Sequence, residues 1–407
     1  MTTTPTAQAV GERIADHRKR LGLSQVELAG LIGRSDSWVS QVERGVRSVD
    51  RLSVLQKVAD VLGVSVAELR TGEAPDTGDD AGRPEALESL RLTLTGHPAV
   101  SVVLGGPPDA LTEQELAELR EAHGQVWGLV HASRYNELAP VLADLIPSLE
   151  RAVRSDAPPE QARAVRQMLT DTYQAVAAML SKVGEADAAW IAADRAALAA
   201  ESLGDPLALA ASLFRMAHVF LSLGYLSQVQ AVAAASAEAL ERQEETPGVL
   251  SLRGAFQLVL AVAAARDNDR TAAYGHLGRA RELAAQLGED RNDFGTEFGP
   301  TNVGLHAVAV AVELGDAGQA LDLANAVDPA GLSPERQARY SLDLAQAHAM
   351  RRQVGEALRC LELAEQLTPE QTRSHRVAQA VARDLLRLSG PRARPELREL
   401  ADRFGVT

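Results

Sequence analysis

Apolar positions in the first 72 residues recur every three or four places, in short runs that each close on a glycine. From Ala7 to Arg20, Val10, Ile14 and then His17 or Leu21 share one face, and Gly22 stops the run. Leu28, Ala29 and Ile32 mark a second helix in "SQVELAGLI". Ser24 with Glu27 three residues on is a capping box, in which each side chain satisfies the other's backbone N–H. Gly33 is suited to the turn that follows, where φ is positive. Ser35 opens a third helix, "SDSWVSQVER", with Val39 and Val42 inward, and Gly45 ends it. A fourth is predicted from Val49 to Leu62 and a short fifth from Ser65. Two short capped helices joined by a tight glycine turn make a helix-turn-helix, and Ala29 is small where the pair must cross.

The pattern then changes. Residues 71–84, "TGEAPDTGDDAGRP", are nearly free of apolar side chains and read as a solvated hinge. A second loop, "LGGPPDAL", ends near 111, and the stretch between reads as helix followed by strand. From Thr112 to Leu388 helix follows helix, broken by Gly, Asp and Pro. Small residues recur there at fixed offsets. Ala177 is followed by Gly184, Ala189 and Ala196, and Ala345 by Ala357, Leu361, Ala364 and Pro369. Val308 precedes Gly315 and Ala320, Ala261 precedes Ala273, Leu277 and Ala280, and Ala217 precedes Gly224. These offsets resemble the tetratricopeptide repeat, in which paired helices cross closely and each pair buries its apolar side against its neighbours. The repeat's usual aromatic residues are mostly missing, and the spacing is longer than its ~34-residue period. The expected fold is all-α: a five-helix repressor-type domain over 1–72, a linker over 73–111, and a tetratricopeptide-like α-solenoid over 112–407.

With its apolar side inward, the third helix leaves Asp36, Ser37, Ser40, Gln41 and Arg44 outside. The stretch "RIADHRKRLGLSQVELAGLIGRSDSWVSQVERG" resembles the repressor-type helix-turn-helix of the xenobiotic-response-element (lambda/434 repressor and Cro) family, over residues ~9–70. The resemblance implies that this helix enters the major groove of double-stranded DNA. Asp36, Ser37 and Gln41 would then face bases, Gln41 pairing with adenine and Asp36 accepting from a cytosine amino group. It further implies that Gln25 anchors a phosphate at the start of the second helix, joined by Arg44, Arg47, Ser35 and Ser40. Trp38 departs from the small or polar residue expected there. It packs either against sugar and thymine methyl groups or over the head's own core. Glu43 reads as a structural partner for a nearby arginine. So small a module reads few base pairs, so two copies on a palindromic operator, half-sites ~34 Å apart, are expected, and hence a homodimer.

Charge sharpens this division. Net charge is −14, yet residues 1–70 hold ten Lys+Arg and eight Asp+Glu, against 31 and 47 in the remainder. A near-neutral to basic head on an acidic body suits a DNA-reading module on a larger domain. Apolar residues are 46% of the chain but aromatics only 3%, which favours helix over strand. The single cysteine, Cys360, excludes a disulfide framework and reads as a buried helix residue. No basic-then-apolar leader is evident, and no segment approaches the ~20 apolar residues of a membrane span, so a cytoplasmic protein is expected. No phosphate loop, dinucleotide fingerprint, metalloprotease or nucleophile-elbow motif occurs, and the nine His lack metal-ligand spacing. Neither an enzyme nor a cofactor nor a metal is expected.

In a solenoid the first helices line the concave side. By register these positions include Gln174, His218, Gln257, Asn302, Arg339 and Gln346, which suit an extended peptide. The loop "NDFGTEFGPTNVGLH" adds Phe294 and Phe298, walling a pocket or plugging a seam, with Asn302 and His306 one turn apart. The layout resembles the peptide-pheromone-responsive regulators. That resemblance implies a dimeric, sequence-specific regulator whose solenoid senses a peptide or small-molecule effector and alters operator binding. The competing expectation is an adaptor whose solenoid binds a partner protein, with DNA binding secondary.

Overall fold

The structure, a computed structural model, describes residues 7–20, 23–47, 49, 52–62, 69, 85–96, 108–390 and 393–406. The chain divides into two compact units, Met1–Arg83 and Pro84–Thr407. Among the described residues both are helical, and the sole β-pairing is one isolated bridge between Arg291 and Phe298.

In the smaller unit α1 spans Ala7–Arg20, α2 Gln25–Ile32, α3 Asp36–Glu43 and α4 Leu52–Leu62. The capping box forms as the sequence requires: Glu27 N donates to Ser24 Oγ at 3.1 Å, and Ser24 N to Glu27 Oε2 at 2.7 Å. Gly33 closes α2 at φ 67°. Ile14, Leu28, Ala29, Val39, Val42, Leu55 and Val58 form one core. The fourth helix begins at Leu52, later than Val49. Leu21, Gly22 and most of the expected fifth helix lie outside the described residues; Leu69 alone is described there, buried, its carbonyl accepting from Arg13 Nη1 at 3.0 Å.

Periodicity alone gave no sign of one contact in this unit. Gly11 lies inside α1 where α3 crosses it, and a Cβ there would stand 2.0 Å from Val42 O. Replacing a helix-interior glycine by alanine ordinarily gains ~1 kcal/mol. Here the sign reverses, because α1 must move off α3. Gly11→Ala is expected to destabilise this unit by about 1–3 kcal/mol in denaturant unfolding of the full chain.

The larger unit opens with α5, Glu85–Thr95, inside the stretch read as linker. Leu87, Leu90 and Leu94 are buried in the core of this unit, and Arg91 pairs with Glu185. Residues 97–107, which hold the strand-like stretch and the start of the second loop, lie outside the described residues. Helical hairpins follow: α6 Glu113–His131 with α7 Tyr135–Val153, α8 Pro159–Lys182 with α9 Ala186–Leu203, and α10 Pro206–Leu223 with α11 Leu226–Leu240. Then come α12 Pro247–Arg266 with α13 Arg270–Leu287, α14 Pro300–Glu313 with α15 Ala317–Ala324, and α16 Pro334–Met350 with α17 Val354–Leu367. Helices α18 Pro369–Ser374, α19 Arg376–Ser389 and α20 Pro395–Arg403 end the array.

The small-residue register holds throughout. Ala177, Ala189, Ala196, Ala217, Ala261, Ala273, Ala280, Val308, Ala320, Ala345, Ala357, Leu361 and Ala364 are all completely buried. Gly184, Gly224 and Gly315 turn the hairpins at φ near 80°, where an L side chain would be strained. Cys360 is half-buried against the C-terminal core, which pushes its thiol up to about 11. Two helices, α10 and α12, are long and apolar enough to cross a membrane, contrary to the sequence expectation. They pack as core helices of the array, with 61% and 67% of their apolar windows buried.

First helices stack on first helices, and α16 reaches α6. Ser133 Oγ and Tyr135 OH both donate to Gln371 Oε1, at 2.7 and 3.1 Å, and Asn136 N donates to Glu370 Oε2 at 2.9 Å. The array therefore returns on itself and encloses its inner side.

Candidate functional site

In the smaller unit, α3 presents Asp36 and Ser37 exposed, with Ser40 and Gln41 half-buried beside them and Arg44 exposed at its C-cap. Arg47 is exposed just beyond, tied to the end of α3 because its N–H, like that of Val46, donates to Gln41 O. Arg44 Nε donates to Ser40 O at 3.1 Å. Ser35 is exposed, and its hydroxyl is engaged as the N-cap, accepting from Trp38 N at 3.2 Å. Trp38 covers the core of this unit, with the Arg34 guanidinium over its ring at 5.6 Å. That cation was not singled out from the sequence.

Two side chains behind this face fix its geometry. Arg18 meets Glu43 through Nε–Oε1 at 2.5 Å and Nη2–Oε2 at 2.9 Å, both nearly buried. Burial pushes the Glu43 carboxyl up, but Arg18 and Gln25 outweigh it and hold it below the ordinary range. Glu43 is thus the structural partner the sequence suggested. The Gln25 amide donates to Glu43 Oε2 at 2.7 Å, which holds it at the start of α2 and leaves its second N–H to donate elsewhere.

In the larger unit the nine candidates part into two groups. Gln174 is buried and bridges helices, donating to Ser212 Oγ at 2.9 Å and Ala208 O at 3.3 Å. Gln257 Oε1 meets His276 Nδ1 at 2.7 Å, joining α12 to α13. Phe298 is fully buried over Gly254, where a Cβ would lie 1.9 Å from the ring, so it plugs a seam. Gln346 is half-buried on α16. The remaining candidates gather on the inner side. His218 packs edge-on to Phe214 at 4.6 Å, and His306 Nδ1 meets Asn302 O at 2.9 Å. Asn302 donates to Glu297 O at 2.8 Å. Arg339 pairs with Asp343 at 3.1 Å and donates to His375 Nε2 at 3.3 Å. Phe294, at φ 53°, gives its carbonyl to Arg215.

The inner side is not an open polar groove. Residues 289–299 cross it, and around them stands a cluster of charge that the sequence reading missed. Lys182 Nζ lies 3.2 Å from Glu335 Oε2. Arg215 stacks on Trp127 at 4.7 Å, and Arg336 Nε is 3.6 Å from Glu297 Oε2. Burial lowers Arg215 to about 9 and, with Arg336 near, His306 to about 4. His218 is driven well down and His375 to about 3 by the same causes, desolvation first and neighbouring arginines next. Burial raises Asp343 to about 6 despite Arg339. At Glu335 burial is outweighed by Lys182 and Arg336, so its carboxyl stays ionised well below the usual range. Buried Nε of Arg215 and of Arg336, Nε2 of His131 and Oδ1 of Asn302 have no hydrogen-bond partner. Glu335, Arg336, Arg339 and Asp343 lie close together on α16, while their partners come from α6, α8, α10, α14 and loops, so sequence spacing announces only part of the cluster.

Comparison with known proteins bears on the smaller unit. The helix-turn-helix domain family matches residues 9–71. The HTH-type transcriptional regulator SinR of Bacillus licheniformis is 40% identical over 81 residues, 20% of this chain and 72% of that protein. SinR of Bacillus subtilis (strain 168) is 40% identical over 60 residues, 15% of this chain and 54% of that protein. The crystal structure of Bacillus thuringiensis PlcR in complex with the peptide PapR7 and DNA aligns with 88% of this chain and 99% of its own. Its identity is 13% and its TM-score 0.28, too low for an element-by-element comparison. From its own face on α3 and its likeness to the SinR proteins, the chain belongs to the helix-turn-helix transcriptional regulators.

Proposed function

We propose that this regulator is a cytoplasmic homodimer that reads a palindromic operator and senses a peptide or small molecule on the inner side of its helical array. It acts by binding, not catalysis. One observation carries the sensing half. Lys182, Arg215, Arg336 and Arg339 are gathered with Glu297, Glu335 and Asp343 inside an array otherwise built from Ala and Leu. Enclosed charge is costly, and an apolar interior of the same volume would be as stable or more so, so a cluster of this kind marks a functional site. A ligand there changes operator affinity only by as much as it prefers one state of the array over another.

In the reading half, Gln41, Ser37 and Asp36 face base edges, while Arg44, Arg47 and the start of α2 take phosphates. In vitro selection of random duplexes on the full-length protein tests this. A palindromic motif with half-sites ~34 Å apart is expected. Gln41→Ala should blur one position of each half-site, losing about 1–3 kcal/mol of discrimination there. A selection unaffected by Gln41→Ala would instead support the adaptor reading.

A further inference from the structure

The segment crossing the inner side belongs to the chain itself, and it is held as a bound peptide is held. Phe294 and Glu297 both adopt positive φ, at 53° and 50°, a conformation that side chains other than glycine take up at a cost. The cost is met from distant parts of the array. Arg215 Nη2 donates to Phe294 O at 2.6 Å and Gly295 O at 3.1 Å, and Arg336 Nη2 donates to Thr296 O at 3.4 Å. Three successive main-chain carbonyls are thus taken by guanidinium groups from two separate helices. The Glu297 carboxylate accepts from Ser333 N and Ser333 Oγ, both at 2.9 Å, at the N-terminus of α16. The next side chain, Phe298, fills the space over Gly254. Charge-assisted bonds to carbonyls, a carboxylate on a helix N-terminus and an aromatic anchor are the elements of peptide recognition.

The geometry points to residues 293–298 as a built-in occupant of a peptide site, which an acidic peptide carrying Glu followed by an aromatic residue must displace. The incoming carbonyls and carboxylate then take over Arg215, Arg336 and Ser333. This rests on the sensing reading above and adds the ligand class and the competitor. A tethered segment acts at an effective concentration of roughly millimolar, so a free peptide binds weakly until the segment is released. The unpartnered Nε of Arg215 leaves that guanidinium donor capacity which the built-in segment does not use.

The probe is a fluorescein-labelled peptide of residues 292–299, NDFGTEFG, titrated by anisotropy against the full chain. Glu297→Ala and, separately, Gly295→Ala release the segment, the second because a Cβ would stand 3.0 Å from the Trp127 ring at φ 64°. Hydrogen exchange over 292–298 reports the release. Each variant is expected to bind the probe at least tenfold more tightly than the parent. Adding Arg336→Ala, or replacing the probe's Glu by Ala, should remove that gain. Faster exchange without tighter binding overturns the proposal, as does a gain that survives Arg336→Ala. If neither variant speeds exchange, the segment is a fixed part of the fold and the proposal falls. Operator affinity, measured separately with the probe bound, decides the sensing reading: tight probe binding that leaves it unchanged sustains the peptide site and overturns only the sensing.

Discussion

Glu43→Ala should unfold the smaller unit at temperatures where the larger one is intact, and abolish operator binding with it. Arg18 and Glu43 have side-chain exposures of 10% and 5% and meet in two parallel hydrogen bonds. Removing one partner of a buried pair leaves an uncompensated charge, at a cost of about 3–5 kcal/mol. The low end suits a unit this small, where water reaches the pair more readily, yet ~3 kcal/mol is most of what such a domain has to spare. Arg18 also donates to Leu23 O at 2.6 Å and Glu43 also accepts from Gln25, so losing the pair loosens the entry to α2 and the end of α3 together. Thermal unfolding of the full chain should show the early transition shifted down and the later one unmoved. The double variant Arg18→Met/Glu43→Leu, which removes both charges, should restore much of the loss. A single variant that melts like the parent would show that the pair contributes nothing.

The smaller unit was legible because its rules are local. A capping box, a turn glycine and a 3.6-residue period each act within a few residues, and Ser24, Gly33, Val39 and Val42 all stand where those rules put them. The hairpin register was legible for a related reason. Two helices that cross closely need a small residue at the crossing, and Ala177, Ala261 and Ala345 mark the crossings in the sequence itself.

What was not legible depends on a partner far along the chain. The bond from Gln25 to Glu43 spans 18 residues, and nothing near Gln25 in the sequence announces it. A polar residue on a first helix looks the same whether it faces the enclosed side, like His306, or bridges a seam, like Gln174. Gly11 reads as a weak point in α1 until α3 is laid across it. The charged cluster had only a partial signature: Glu335, Arg336, Arg339 and Asp343 lie close together on α16, while Lys182, Arg215 and Glu297 join them only when the array returns on itself.

That cluster sets the response of the larger unit to acid. His306 and His375 are held near 4 and 3, against ~6.5 for an unfolded chain, by burial and by the arginines around them. A histidine lowered on folding contributes stability that is whole above ~6.5 and lost as pH falls toward its folded value. At pH 5 each forfeits about 2 kcal/mol relative to pH 7. Asp343 works the other way. Held up at about 6, against ~3.9 unfolded, it regains about 1 kcal/mol over the same interval by protonating in the fold. Glu335 stays ionised throughout, so it changes nothing until the pH is lower still. The histidines win, and His218, driven down by the same causes, adds to their side, so the net loss at pH 5 is about 2–3 kcal/mol or more. Denaturant unfolding at pH 7 and pH 5 should show that loss in the later transition, and His306→Gln should reduce it by removing one titrating group. Equal or greater stability at pH 5 would mean that these histidines are already charged in the fold, and that the inner side holds more water than their surroundings imply.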